Sequence, residues 1–151
     1  MIKILFVCHG NICRSAMAEC VMTMLIRQRG LEGRLSADSA ATSSEEIGNP
    51  IYPPAAQKLR ERGVPVLPHA ARRMTAGDYA GYDLLIGMDD ANIRNMNRIA
   101  GGDPDGKIRR LMDYTARPGE VADPWYTRDF ESAWRDVNEG CQALLDALEK
   151  R

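Results

Sequence analysis

The order of apolar runs along the 151-residue chain most constrains its fold. The segment Ile2–Cys8 (IKILFVC) is almost continuously apolar, as expected for a strand that is covered on both faces. Residues 15–29 then carry apolar side chains at spacings of three and four and end before Gly30, which predicts a helix. Short strands that alternate with longer helices are typical of βαβ units around a parallel sheet. The sequence therefore predicts a doubly wound α/β fold, with about four parallel strands and helices on both faces.

The rest of the chain continues this alternation as one domain, residues 1–151. Thr75 and Asp78 resemble a capping box for a short helix, and Asp89 or Asp90 can cap a helix that runs to about Ala100. Two long loops, 41–49 and 113–129, remain, and long loops in compact domains are often functional. Further strands are predicted at 35–40, 82–88 and 108–112, and further helices at 52–62 and from Phe130 onward.

Composition and charge exclude several functional classes. The chain has 20 Lys plus Arg against 21 Asp plus Glu, so it lacks the basic field that holds a nucleic-acid backbone. Its apolar runs are far shorter than the roughly 20 residues of a membrane span, and its first residues do not resemble a signal peptide. Cysteines in zinc-type CxxC pairs are absent from the sequence. We therefore expect a cytoplasmic protein without nucleic-acid or membrane partners and without a metal or other cofactor.

The segment between the first strand and the first helix has the pattern Cys-x5-Arg-Ser (CHGNICRS). A strand that turns directly into a helix presents a row of backbone N–H groups to an anion. Gly10 and Asn11 are residue types that readily adopt the left-handed conformations of such a nest. We therefore predict an oxyanion site here, with Cys8 at the end of the strand.

Each residue of this segment has a chemical task to which it is suited. Backbone dipoles and Arg14 favour the thiolate of Cys8, which makes it a nucleophile. Arg14 can hold two oxygens of a transferring phosphoryl group in a planar fork. The Ser15 hydroxyl can either donate to the sulfur or cap the helix, and both possibilities stay open.

An expelled alkoxide or phenoxide needs a proton, and Asp123 is the best candidate donor because it lies in a long loop beside Trp125 and Tyr126.

These motifs together resemble the low-molecular-weight protein tyrosine phosphatase family. The resemblance covers essentially the whole chain and rests on VCHGNICRS at the first strand, DSAATS at 38–43, IGNP at 47–50, GMD at 87–89 and ADPWY at 122–126. It implies an enzyme that hydrolyses phosphotyrosine in tyrosine-phosphorylated proteins through a phosphocysteine intermediate, without a metal. It also implies a monomer or weak dimer.

The resemblance assigns roles to individual residues. Cys8 is implied as nucleophile, Arg14 as phosphate-binding residue and Asp123 as general acid and then base. Cys13 is implied as the partner of Cys8 in a reversible disulfide, and the alternative is a small apolar filler. The remaining implied positions are the phosphate-binding loop at His9, Gly10, Asn11, Ile12, Cys13 and Ser15, its supports Asn11, Ser15, Ser39 and His69, and the substrate cleft at Glu45, Trp125 and Tyr126.

Three other functions stay open from the sequence. Arginine-phosphate phosphatases similar to this family tend to have threonine where this chain has Ile12, which disfavours that activity. Related arsenate reductases use two downstream cysteines, but no cysteine lies between Cys20 and Cys141. A non-catalytic phosphate-binding module would not need both Cys8 and Asp123.

Glu45 replaces an aromatic residue of many family members, so one wall of the cleft is expected to be acidic.

Overall fold

The first strand, β1, lies inside the sheet. The computed structural model describes residues 1–150, which form one sheet in the order β2-β1-β3-β4 with every neighbouring pair parallel. Strand order reverses between β1 and β3, so a crevice opens there at the carboxyl ends of the strands. The strands are β1 (Ile2–Cys8), β2 (Leu35–Ala41), β3 (Leu84–Gly87) and β4 (Ile108–Arg110).

Helices cover both faces of this sheet, which confirms the predicted doubly wound α/β architecture. Alternate side chains of β1 enter different clusters: Ile4 and Phe6 pack with α1, α2 and α6, whereas Leu5 and Val7 pack with α4. All four are fully buried. The helices are α1 (Arg14–Gln28), α2 (Pro53–Glu61), α3 (Asp78–Gly81), α4 (Asp90–Ala100), α5 (Pro124–Thr127) and α6 (Phe130–Glu149), with a 3-10 helix at Leu111–Tyr114.

Two strands are shorter than predicted. The apolar run at 108–112 ends as a strand at Arg110, because the chain turns into a 3-10 helix that buries Leu111 against α6. Gly140 of α6 makes this approach possible, since a Cβ there would lie 2.5 Å from Leu111 Cγ. The run at 82–88 forms a strand only over Leu84–Gly87, because Tyr82 caps the end of α3.

Caps confirm the start of α4 and part of the predicted capping box. Asp89 accepts the Asn92 N–H at 2.8 Å, and Asp78 accepts the Thr75 N–H at the same distance. Within residues 1–150, no helix combines the length and the apolar content that crossing a membrane requires.

Candidate active site

The segment that joins β1 to α1, here called the anion loop (residues 8–15), lies at the crevice where the strand order reverses. Asn11 adopts the predicted left-handed conformation, with φ of 60°. The same prediction for Gly10 was wrong, since its φ is not positive. A Cβ at Gly10 would instead meet Glu46 Cγ at 3.4 Å. This is close to an ordinary van der Waals contact with a flexible side chain, so space alone does not require glycine at this position.

Asn11 ties the anion loop to a distant segment of the chain. Its side-chain amide is fully buried and donates to Ser15 Oγ at 2.9 Å, while its Oδ1 accepts the Arg72 N–H at 3.2 Å. Its carbonyl oxygen accepts a hydrogen bond from His69 Nε2 at 2.6 Å. Residues 69–72 thus hold the left-handed turn, and this contact gives His69 the structural position expected for a loop support.

The thiol of Cys8 is buried and receives hydrogen bonds from one residue. Its Sγ lies 3.0 Å from Ser15 Oγ and accepts the Ser15 N–H at 3.4 Å. Ser15 Oγ accepts from Asn11 Nδ2 at 2.9 Å and can direct its own proton either to the sulfur or to the Ala40 carbonyl oxygen, which lies 3.5 Å away. The N-cap of α1 is Cys13, so of the two possibilities for Ser15 the contact with the thiol is the one observed.

Arg14 lies almost completely buried, with 2% of its surface exposed, between two carboxylates. Its Nη1 donates to Asp89 Oδ2 at 2.7 Å and to the Val121 carbonyl at 2.9 Å, and its Nη2 donates to Asp123 Oδ2 at 3.3 Å. Burial alone would lower the pKa of Arg14, but the charges of Cys8 and the two aspartates raise it above its usual range. Sequence reasoning assigned Asp89 only to the helix cap and missed this ion pair. Its place directly after β3 was the available signal.

Asp123 begins a second segment, here called the acid loop (residues 122–129). Its Oδ1 accepts the Trp125 N–H at 3.0 Å and so caps α5, while its Oδ2 faces Arg14. The side chain of Asp123 is 23% exposed. Next along the loop, Trp125 and Tyr126 are 44% and 79% exposed, which leaves two large rings on the surface beside the carboxylate.

One pocket joins the two loops. It brings together the predicted catalytic residues and both walls of the predicted cleft. His9 Nε2 and Glu45 Oε2 lie 3.0 Å apart, within hydrogen-bond distance, and sequence reasoning missed Glu46 on the same wall. The lining residues are Cys8, His9, Gly10, Ile12, Cys13, Arg14, Glu45, Glu46, Asp123, Trp125 and Tyr126.

The predicted supports differ in how they reach the anion loop. The Ser39 hydroxyl donates to Glu19 Oε1 of α1, and its role as a support of the loop stays a prediction. Burial raises the pKa of that carboxyl, against the hydrogen bond from Ser39 and the field of His69.

Among the described residues, no three His, Cys, Asp or Glu side chains come close enough to hold a metal ion together.

The four cysteines are all free and buried. Cys20 and Cys141 lie in the core, as predicted. Cys13 lines the pocket, and burial, the nearby charge of Cys8 and that of Asp123 raise the pKa of its thiol to about 12. The pocket therefore holds a second thiol that stays protonated at neutral pH.

The doubly wound sheet, with a buried cysteine and arginine in the loop after its first strand, places the chain in the class of α/β proteins that carry an oxyanion site. Comparison with known proteins specifies the family. The model of the family "Low molecular weight phosphotyrosine protein phosphatase" matches residues 3–151. The chain therefore belongs to the low molecular weight phosphotyrosine protein phosphatase family and is an enzyme.

Individual members of the family are similar to this chain over nearly its whole length. The low molecular weight protein-tyrosine-phosphatase YfkJ of Bacillus subtilis is 39% identical, with 99% of this chain and 97% of the relative covered. The crystal structure of YfkJ matches with a TM-score of 0.96, covering 99% of this chain and 96% of that one. The low molecular weight phosphotyrosine protein phosphatase of Homo sapiens is 36% identical, with 95% and 94% covered.

Proposed function

We propose that this phosphatase hydrolyses aryl phosphate monoesters, above all phosphotyrosine in proteins, through a phosphocysteine intermediate on Cys8. The observation that carries the proposal is that Cys8, Arg14 and Asp123 line one pocket, with hydrogen-bond donors on the sulfur. A thiolate nucleophile, a fixed cation and a carboxylic acid are the three groups that phosphoryl transfer to a cysteine requires.

In the first step, the Cys8 thiolate attacks phosphorus and forms an S–P bond while the bond from phosphorus to the phenolic oxygen breaks. Asp123, in its protonated form, gives its proton to the departing oxygen. Arg14 donates to two equatorial oxygens of the transferring group. Phosphate oxygens thereby replace Asp123 Oδ2 as the acceptor of Arg14 Nη2, a contact of 3.3 Å in the free enzyme, and free this carboxyl oxygen to carry the proton.

In the second step, water attacks the phosphorus of the phosphocysteine. The Asp123 carboxylate takes a proton from this water, the S–P bond breaks, and inorganic phosphate and the Cys8 thiolate are released. Donors from Ser15 at 3.0 and 3.4 Å stabilise the thiolate as leaving group. Arg14 supplies the positive charge that a metal ion supplies in other phosphatases, so we propose that neither step needs a metal.

We further infer a cytoplasmic enzyme that acts as a monomer or weak dimer and has no nucleic-acid or membrane partner. The near balance of 20 basic and 21 acidic residues supports the absence of a nucleic-acid partner. These inferences remain predictions.

Release of p-nitrophenol from p-nitrophenyl phosphate in excess EDTA tests the mechanism. We expect turnover by the reduced wild type, none by Cys8→Ser and a clear decrease for Asp123→Ala. Cys20→Ser is the matched control, because it changes another buried thiol that lies outside the pocket. Absence of turnover by the wild type would refute the aryl phosphatase proposal, and phosphoarginine, arsenate and simple phosphate binding would then be tested in that order.

A further inference from the structure

We propose that Tyr52 is a positioning residue, which fastens the acid loop to the anion loop and thereby places Asp123 at the leaving oxygen. The proposal rests on the function proposed above. Tyr52 precedes α2 and lies outside both loops, and nothing in the two-step chemistry requires it to touch the substrate. Its importance comes from contacts that it makes with both loops at once.

The backbone of Tyr52 contacts the anion loop. Its N–H donates to the carbonyl of Ile12 at 2.8 Å. Ile12 is buried and lines the pocket. The position of Tyr52 is therefore fixed relative to the loop that binds the phosphate.

The side chain of Tyr52 contacts the acid loop. Its ring centroid lies 5.0 Å from that of Trp125 at an angle of 53°, within the usual range for aromatic pairs. Its hydroxyl accepts a hydrogen bond from Arg128 Nη2 at 3.2 Å. The Arg128 guanidinium also lies 5.5 Å from the ring centroids of Tyr52 and Phe130, a favourable cation–π distance.

Two backbone hydrogen bonds connect these ring contacts to the catalytic carboxylate. The N–H of Trp125 donates to Asp123 Oδ1 at 3.0 Å, and the N–H of Arg128 donates to the Pro124 carbonyl at 2.8 Å. Arg128 has a φ of 60°, which is costly for a residue other than glycine and persists only when surrounding contacts impose it. The cluster of Tyr52, Trp125, Arg128 and Phe130 supplies such contacts.

The acid loop needs this anchor when substrate binds. Its helix α5 has four residues, too few to be stable by themselves. In the free enzyme Asp123 is also held by Arg14, but the proposed mechanism transfers that hydrogen bond to the phosphate. From that moment, the contacts of Tyr52 with Trp125 and Arg128 hold the acid loop itself, beside the Arg14 hydrogen bond to the Val121 carbonyl just before the loop.

Leaving-group dependence distinguishes positioning of the acid from a general structural role. We measure kcat/KM of Tyr52→Leu on phenyl phosphate, whose phenolate needs a proton, and on p-nitrophenyl phosphate, whose leaving group departs more readily. We expect a loss of about tenfold or more on phenyl phosphate and of less than about threefold on p-nitrophenyl phosphate. Tyr52→Phe keeps the ring and should recover most of the activity.

Tyr79→Leu is the matched control. Tyr79 also has a cation over its ring, Lys107 Nζ at 4.9 Å, and also makes a hydrogen bond, to Asp103 at 2.7 Å. It packs on the opposite face of the sheet from α1 and α6. This variant should therefore lower the melting temperature without changing the ratio of kcat/KM on the two substrates.

An equal loss on both substrates, or a ratio for Tyr52→Leu equal to that for Tyr79→Leu, would overturn the proposal. If Tyr52→Leu does not fold, Arg128→Ala gives the same test, because it removes the other side of the contact. Failure of the proposed function would be visible separately, since Asp123→Ala would then also leave the ratio of the two substrates unchanged.

Discussion

The two loops that form the pocket are built in opposite ways. In the anion loop, Asn11 and Ser15 are fully buried and Arg14 is 2% exposed, and these side chains contact residues from four other segments of the chain. In the acid loop, Asp123 is partly exposed and Tyr126 is 79% exposed. The first loop is part of the core, whereas the second lies on the surface and is held by ring contacts and one ion pair.

This difference matches the two kinds of chemistry that the proposed mechanism requires. Stabilising a charged transition state requires dipoles that are fixed before the reaction, and burial fixes them. Delivering a proton to a leaving tyrosine requires a group that reaches the surface, where a protein substrate can approach and depart. Substitutions in the anion loop should therefore lower kcat/KM more than substitutions of exposed residues in the acid loop.

The largest expected difference is in the alkylation of the two thiols of the pocket, Cys8 and Cys13. With a pKa of about 12, Cys13 is deprotonated in only about one molecule in 10⁴ at pH 8. We expect iodoacetamide at pH 8 to inactivate the enzyme by labelling Cys8 and to leave Cys13 unlabelled in peptide mass spectra. Because a raised thiol pKa favours the protonated form, labelling of Cys13 should increase about tenfold per pH unit as the solution becomes more alkaline. Equal labelling of both cysteines at pH 8 would contradict this expectation.

Arg14→Lys should lower kcat/KM on p-nitrophenyl phosphate by about 10³. A lysine ammonium cannot reproduce the planar fork that contacts Asp89, Val121 and Asp123 simultaneously. Arg27→Lys, an exposed change in the last turn of α1, is the matched control and should have wild-type activity. If Arg14→Lys lowers kcat/KM less than Asp123→Ala does, the expected difference between the two loops is wrong.

Asn11→Ala should lower kcat/KM by about 10² and the free energy of unfolding by about 2 to 4 kcal/mol. The change removes the hydrogen bonds to Ser15 and from Arg72 and leaves alanine at a positive φ. Urea denaturation measures the stability. In the control Asn97→Ala, the lost amide contact is with the Ile93 carbonyl of the same helix, α4, and both quantities should stay near those of the wild type.

The smallest effect on activity is expected at Tyr126, the most exposed ring of the acid loop. Tyr126→Ala should raise the KM for a phosphotyrosine peptide about threefold and lower kcat less, because the ring provides a stacking surface and no charge. Tyr126→Phe keeps that surface and should resemble the wild type. A larger loss in kcat than in peptide binding would show that the acid loop depends on this ring for its shape.

The sequence allowed three residues that line one pocket to be selected, although it revealed little about their neighbours, and the catalytic roles of the three stay a proposal. Cys8, Arg14 and Asp123 could be selected because each carries a chemical property that its local pattern displays. The ion pair of Asp89 with Arg14 and the contact of Ser39 with Glu19 depend on which strands are neighbours, so local pattern contains little information about them.

The same limit applies to backbone details. The strand β1 and the cap of α4 follow from apolar pattern and local hydrogen bonds, and both were predicted correctly. The end of β4 depends on the fit of Leu111 against Gly140, and the ion pair of Arg14 with Asp89 joins residues that are 75 positions apart. Contacts between residues distant in sequence determine these features.

The partners of Arg14 also have a consequence for biosynthesis. Asp123 follows Arg14 by 109 residues, which a ribosome takes about 5 to 20 s to add. During that interval the guanidinium has no Val121 carbonyl or Asp123 carboxylate to receive its hydrogen bonds. We therefore expect that a nascent chain acquires phosphatase activity only after its acid loop has left the ribosome.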